Sequence, residues 1–252
     1  ETRWNQKVVV VSFTRKKEAD LVEDRPQHLK KEFRKLYGRA PTEYTERVIY
    51  VFQDTDVLFF SMVAHEYPNH NGISYCLIDT LDTIPFFDVH RRLPVGRGAV
   101  YHEIILAYFD YMRSIGFQKG HIWADAPIPG DDLFFTCHPS TQLYLTQNKL
   151  EGWYEAMLRK GVVDGIFKKE WTNFAGFKKA VENLIQDMEA VEKDKENETK
   201  MVTKYAKYMA SQFQNHTKDT FWMDLAPPLE PMEPETRRWT HEALGDKHAF
   251  LE

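Results

Sequence analysis

The spacing of apolar residues along this chain switches between two periods, and the switches mark out its elements. Val8-Val-Val-Val-Ser-Phe13 is a continuous β-branched run and predicts a strand. Pro26 to Tyr37 predicts a helix: Pro sits in the first turn, Leu29, Phe33 and Leu36 share one face, and Gly38 closes it. Arg47 to Val63 is strand-rich and breaks at Gln53-Asp-Thr-Asp56, which predicts a hairpin with a polar turn. Asn69-His-Asn-Gly72 is a turn, and Ile73 to Phe87 is a second extended region.

Ala99 to Ile115 is apolar on most sides, which predicts a long buried helix stopped by Gly116. A basic loop with Gly and Pro, Asp88 to Gly98, feeds it, and Gly120 to Ala124 is the next strand. Strand, loop, buried helix and strand in that order predict a βαβ-like unit. Leu150 to Lys160 is a helix ending at Gly161, and Asn173 to Lys200 is helical and increasingly charged. Met201 to Asn215 is a further helix, Thr220 to Leu225 a strand, Ala226 to Pro234 an extended proline segment, and Glu235 to Phe250 a last helix. No repeat and no boundary divides the chain. The expectation is one α/β (α+β) domain over 1–252, a central mixed β-sheet flanked by helices, with a charged linker at 192–200.

Composition narrows the function. The 252 residues suffice for a sizeable core, and 42% are hydrophobic. A net charge of −5 argues against a nucleic-acid partner and fits a cationic peptide better. Two cysteines, Cys76 and Cys137, make neither a disulfide framework nor a zinc cluster, so a reducing compartment and no metal are expected. No run approaches the roughly 20 apolar residues of a membrane span. Glu1 in place of Met reads as the start of an excised segment.

Chemistry concentrates between Gly120 and Tyr154, where large aromatics, a Gly130-Asp-Asp132 turn and Cys137-His-Pro139 surround a short loop. His102-Glu103 opens like a zincin motif, but position 106 is Leu, so that reading fails. Gly96-Arg-Gly98 ahead of a helix offers free N–H groups, the positive dipole end and a guanidinium, which suit a phosphate. The carboxylate candidates are Asp82, Asp125, Asp131 and Asp132. Cys137 and His138, adjacent on an extended segment, point apart and make no dyad. Trp123, Trp153 and Tyr154 read first as core packing. Their second reading is a channel in which a phenol donates a proton to a departing thiolate.

Several of these segments occur in one order that resembles the lysine acetyltransferase domain of the CREB-binding protein family. They are Val57-Leu-Phe-Phe-Ser-Met62 with Glu66-Tyr67, Leu81-Asp-Thr-Ile-Pro-Phe-Phe87, Ala99-Val-Tyr-His-Glu-Ile104, Gly120-His-Ile-Trp-Ala124, Gly130-Asp-Asp132, Cys137-His-Pro139 and Trp153-Tyr154. His216 to Leu225 and Asp246-Lys-His248 look like its later segments. The resemblance implies an acetyltransferase-like core that takes acetyl-CoA as co-substrate and moves acetyl directly to lysine. It implies that Leu81, Asp82 and Thr83 contact the pantetheine arm and that Arg97 and Gly98 hold the phosphates. Tyr144 and Lys149, in a loop from Gln142 to Lys149, would touch the cofactor, and Trp153 would pack on it. Tyr154 would be the general acid and Trp123 would line the lysine tunnel. The implied substrates are histone tails and other lysine-bearing nuclear proteins. Transcription factors would be partners of the full-length protein, which would act in the nucleus in transcription regulation.

The chain departs from the family pattern at Thr80, Asp125 and Leu133, where the family has Tyr, Cys and Tyr around the tunnel. Asp125 would be a buried carboxylate there, able to pair with an incoming ammonium. The loop Leu143-Tyr-Leu-Thr-Gln-Asn-Lys149 keeps one charge where the family loop is basic, which implies weaker CoA binding. Lys193 to Lys200 stands in place of the long basic autoacetylation loop. These departures motivate an alternative: a catalytically weak or inactive paralogue serving as an acetyl-CoA- or peptide-binding module.

Overall fold

The computed structural model describes residues 8–20, 41–54, 56–70, 73–85, 96–131, 134–135, 138–173 and 220–233. The helices expected over 26–37, 201–215 and 235–250 and the linker at 192–200 lie outside them, as does all but the first residue of the helix expected over 173–200.

Among the described residues seven strands form one sheet. In chain order they are β1 (Val8–Asp20), β2 (Pro41–Gln53), β3 (Val57–His70), β4 (Ile73–Thr83), β5 (Lys119–Trp123), β6 (Phe167–Asn173) and β7 (Thr220–Leu225). Helix α1 (Arg97–Ser114) joins β4 to β5, and α2 (Gln147–Val163) precedes β6. The strand order is β1-β2-β3-β4-β5-β7-β6. β4 and β5 are parallel and every other pair is antiparallel, so the sheet is mixed and β4–α1–β5 is the expected crossover unit. β2 and β3 meet at the predicted polar turn, where Asp54 takes a left-handed φ of 57°.

The sheet divides the molecule. On one side Ile49, Met62, Cys76, Ile122 and Met223 pack against Ile105, Phe109 and Met112 of α1 and Met157 and Leu158 of α2. On the other, Val48, Tyr50 and Val63 enclose Phe134. α1 is amphipathic rather than buried all round: Glu103, Ala107 and Asp110 face solvent while Ile105, Leu106, Tyr108, Phe109 and Met112 are buried. Its outer end rests on a buried ion pair. Both Nε and Nη2 of Arg47 donate to Glu66, and the guanidinium lies 5.3 Å from the Tyr111 ring. Removing one partner would cost about 3–5 kcal/mol, because the other charge would be left buried.

Candidate active site

The β4–β5 pairing is short. It joins Tyr75–Ile78 to Lys119–Ile122, yet β4 runs on to Thr83 and β5 to Trp123. Past Ile78 the two parallel strands part at their C-terminal ends, where open α/β sheets take ligands. A bulge makes the parting sharper. Ala64 pairs with Ile78 but Val63 with Thr80, so Asp79 is an extra residue in β4. That residue reverses the alternation beyond it. Leu81 and Thr83 come to the helix side with Met62 and Phe60, and Thr80 and Asp82 to the opposite side with Val63 and Ser61.

The helix-side wall is built by the N-termini of both helices. Gly96 precedes α1 with no side-chain cap, and no acidic residue occupies the first turn, so the first N–H groups and the dipole end are open to an anion. Exposed Arg97 is held across the gap by an Nη1 bond to the Pro85 carbonyl at 2.7 Å. Gly98 lets α2 come close: a Cβ there would lie 3.1 Å from Trp153 Nε1. Trp153 also lies 4.3 Å from the His102 ring and 4.9 Å edge-on to Tyr154. Tyr154 is 4% exposed and 5.9 Å from the Phe221 ring. Burial pushes this phenol well above its ordinary range, so it is a protonated donor at any physiological pH.

The loop between β5 and α2 covers the parting. Asp82, 3% exposed, accepts from the Thr83 N–H at 2.8 Å, Phe134 N–H at 3.0 Å, Phe135 N–H at 2.8 Å and His138 Nε2 at 2.8 Å. It therefore fixes the loop. The pantetheine contact expected of it would have to come through that loop, because the bulge turns its side chain away from the helix side. The sequence showed His138 only within Cys137-His-Pro139 and as the base of a rejected dyad with Cys137; its pairing with Asp82, 56 residues earlier in the chain, carried no sequence signal. Gln142 Nε2 donates to the Thr83 carbonyl at 3.0 Å, and half-buried Tyr144 sits edge-on to His138 at 6.1 Å. Lys149 is exposed in the first turn of α2.

Trp123 lies on the far face of β5 from Ile122 and is 44% exposed at the strand end, near His121. Asp125 is exposed, which corrects the expectation of a buried carboxylate: the chain leaves the sheet after Trp123 and carries the side chain outward. Thr80 is buried on the far side. Leu133, Asp132 and Cys137 lie outside the described residues. The structure thus gathers Leu81, Thr83, Arg97, Gly98, Trp153 and Tyr154 on one side of the sheet, and Trp123, Thr80 and Asp82 on the other. Among the described residues no group of three His, Cys, Asp or Glu side chains could hold a metal ion.

A family model described as histone acetyltransferase domain KAT3 matches residues 21–192, a span that runs from before β2 to past β6. The chain is similar to protein cbp-1 of Caenorhabditis elegans, 34% identical over 158 residues that make up 57% of this chain and 8% of that protein. It is also similar to histone acetyltransferase HAC4 of Arabidopsis thaliana, 34% identical over 155 residues, 54% of this chain and 10% of that protein. Histone acetyltransferase HAC1 of the same plant is 35% identical over 140 residues, 50% of this chain and 8% of that protein. The matched part of this chain spans a tenth or less of the length of these relatives.

Proposed function

The chain belongs to the KAT3 histone acetyltransferase domain family, and from that premise we propose that it moves acetyl from acetyl-CoA directly to lysine side chains of histones and other nuclear proteins. The observation that carries this reading is Tyr154, a buried, protonated phenol beside Trp153 at the end of the parted strands. The open N-terminus of α1 and Arg97 suit the CoA phosphates. Leu81 and Thr83 line the pantetheine path, Trp153 packs on it, and Tyr144 and Lys149 close over it. Lysine enters from the far face past Trp123, with Thr80 and Asp125 around the mouth. The two reactants then meet through the gap between β4 and β5 without competing for one entrance.

In the chemical step the neutral amine attacks the thioester carbonyl, the new C–N bond forms and the C–S bond breaks. The departing thiolate takes the Tyr154 proton, and the proton lost by nitrogen goes to solvent, from which the phenolate recovers one. Desolvation raises a thiol in the same direction as a phenol. Donor and leaving group stay matched when both are desolvated. The protein acts in this reading in the nucleus, in transcription regulation, with transcription factors as partners of the full-length chain.

Replacing Tyr154 with Phe should lower turnover on a histone-tail peptide about a hundredfold or more. Acetyl-CoA affinity measured by calorimetry should stay within about threefold, since the Tyr154 hydroxyl donates only in the transition state. Full turnover in Tyr154→Phe would defeat the assignment. The uncharged loop 143–148 favours a second reading, a binding module of low activity, and the same experiment separates it: wild type would bind acetyl-CoA and transfer nothing.

A further inference from the structure

Where β4 and β5 part, each strand end loses the neighbour that its backbone groups would have bonded. Two glutamines five residues apart take their places. Gln142 Nε2 donates to the Thr83 carbonyl of β4 at 3.0 Å. Gln147, the first residue of α2, uses both ends of its carboxamide on the chain leaving β5: Nε2 donates to the Ala124 carbonyl at 2.9 Å, and Oε1 accepts from the Ala126 N–H at 2.9 Å. Nε2 also reaches Glu151 Oε1, one turn along α2, at 3.2 Å. Little else holds the segment between the two: Leu143 is 91% exposed and Leu145 39%, and only Tyr144 turns inward.

We propose that Gln142 and Gln147 are positioning residues that staple the loop across the β4–β5 parting, one to each wall, and so set the spacing between the Trp123 strand end and the helix that carries Trp153 and Tyr154. The staple rests on the acetyl-transfer reading for its consequence, though not for its geometry. A carboxamide is required at 147 because one end must donate and the other accept. A carboxylate there would still accept from Ala126 but would face the Ala124 carbonyl with a second acceptor.

Gln147→Glu turns this requirement into a pH dependence. The protonated acid can donate to Ala124 and the carboxylate cannot. The Glu151 carboxylate beside it and Asp125, in the chain between the two residues it grips, push its titration up, against the α2 N-terminus and the Ala126 N–H, which favour the carboxylate. The ratio of variant to wild-type kcat/KM on a histone-tail peptide should rise about tenfold from about pH 8 to about pH 5.5. The same ratio for Gln147→Met should be low and flat. Independently of activity, the Ala126 amide should exchange with deuterium about tenfold or more faster in Gln147→Met than in wild type. A flat Gln147→Glu ratio, or equal Ala126 exchange in wild type and Gln147→Met, overturns the staple. Slow Ala126 exchange in a wild type that transfers no acetyl overturns the acetyl-transfer reading instead. Ala126 exchange in Gln147→Glu across the same pH range then tests the staple alone, and the absence of any slowing toward low pH overturns it.

Discussion

Asp82 receives four donors on its two oxygens, three of them backbone N–H groups and the fourth His138. Charge-assisted bonds of this kind are each stronger than neutral ones, and a carboxamide in the same place must turn an NH2 toward one pair of donors. Asp82→Asn should therefore lose about 2–4 kcal/mol of stability in a urea titration. It should also weaken acetyl-CoA binding, because the part of the loop held at Phe134 and Phe135 is released. A variant with unchanged midpoint would show that the carboxylate is not the anchor. Leu81-Asp-Thr83 was visible in the sequence as a site segment, but its facing was not. Simple alternation from Cys76 through Ile78 and Thr80 puts Asp82 on the helix side, and the extra residue at Asp79 reverses it. Nothing in the residue types at 78–80 announces that bulge. Trp153-Tyr154 was read from the sequence as opening a helix; the helix begins at Gln147, so the pair lies in its second turn, with Tyr154 in the core cluster.

At the scale of elements, α2 shows how packing overrides propensity. Gly152 and Gly161 lie on the same helix, and the sequence reads the second as a stop. The helix runs through it to Val163. A Cβ on Gly161 would lie 2.7 Å from Leu106 Cδ2 and against the Phe167 ring, so the glycine is there to let α2 meet α1 and β6. Gly152 has nothing within 4 Å of its missing Cβ. Gly161→Ala should destabilise by about 1–3 kcal/mol through overpacking. Gly152→Ala should stabilise by about 0.5–1 kcal/mol through the unfolded chain and helix propensity. Thermal melts of the two variants moving in the same direction would contradict this. The elements that periodicity missed have polar middles. β6 carries Lys168, Lys169 and Glu170, and the outer half of β1 carries Arg15 to Asp20, which are strands only because β7 and β2 pair with them. The first turn of α2, Gln147 to Lys149, has no apolar residue and was invisible for the same reason.

The whole molecule is a sheet with two faces, and the far face carries a titratable group that makes stability depend on pH. His121 is 6% exposed and stacks on Trp222 at 3.7 Å. Burial lowers its pKa from 6.5 to about 4. The folded protein thus holds it neutral where the unfolded chain would protonate it. Stability from this group is complete above pH 6.5, falls as pH drops below that value, and stops falling below about pH 4. At pH 4.5 the loss should be about 2.5 kcal/mol. His102, which burial also lowers, adds in the same direction. Glu46 contributes at a lower window. Burial pushes its carboxyl up, but hydrogen bonds from His65 and Lys17 outweigh it and hold the pKa below 4.5, so its stabilisation persists until pH falls past that range. The two sources separate by where the loss begins. His121→Phe keeps the ring against Trp222 and removes the titration. Urea midpoints of wild type should decline steeply from about pH 6.5 downward, whereas those of His121→Phe should decline only by the smaller His102 share until about pH 4.5, where carboxylates take over. Parallel decline of both proteins through pH 6 would mean that His121 carries its proton inside the folded sheet.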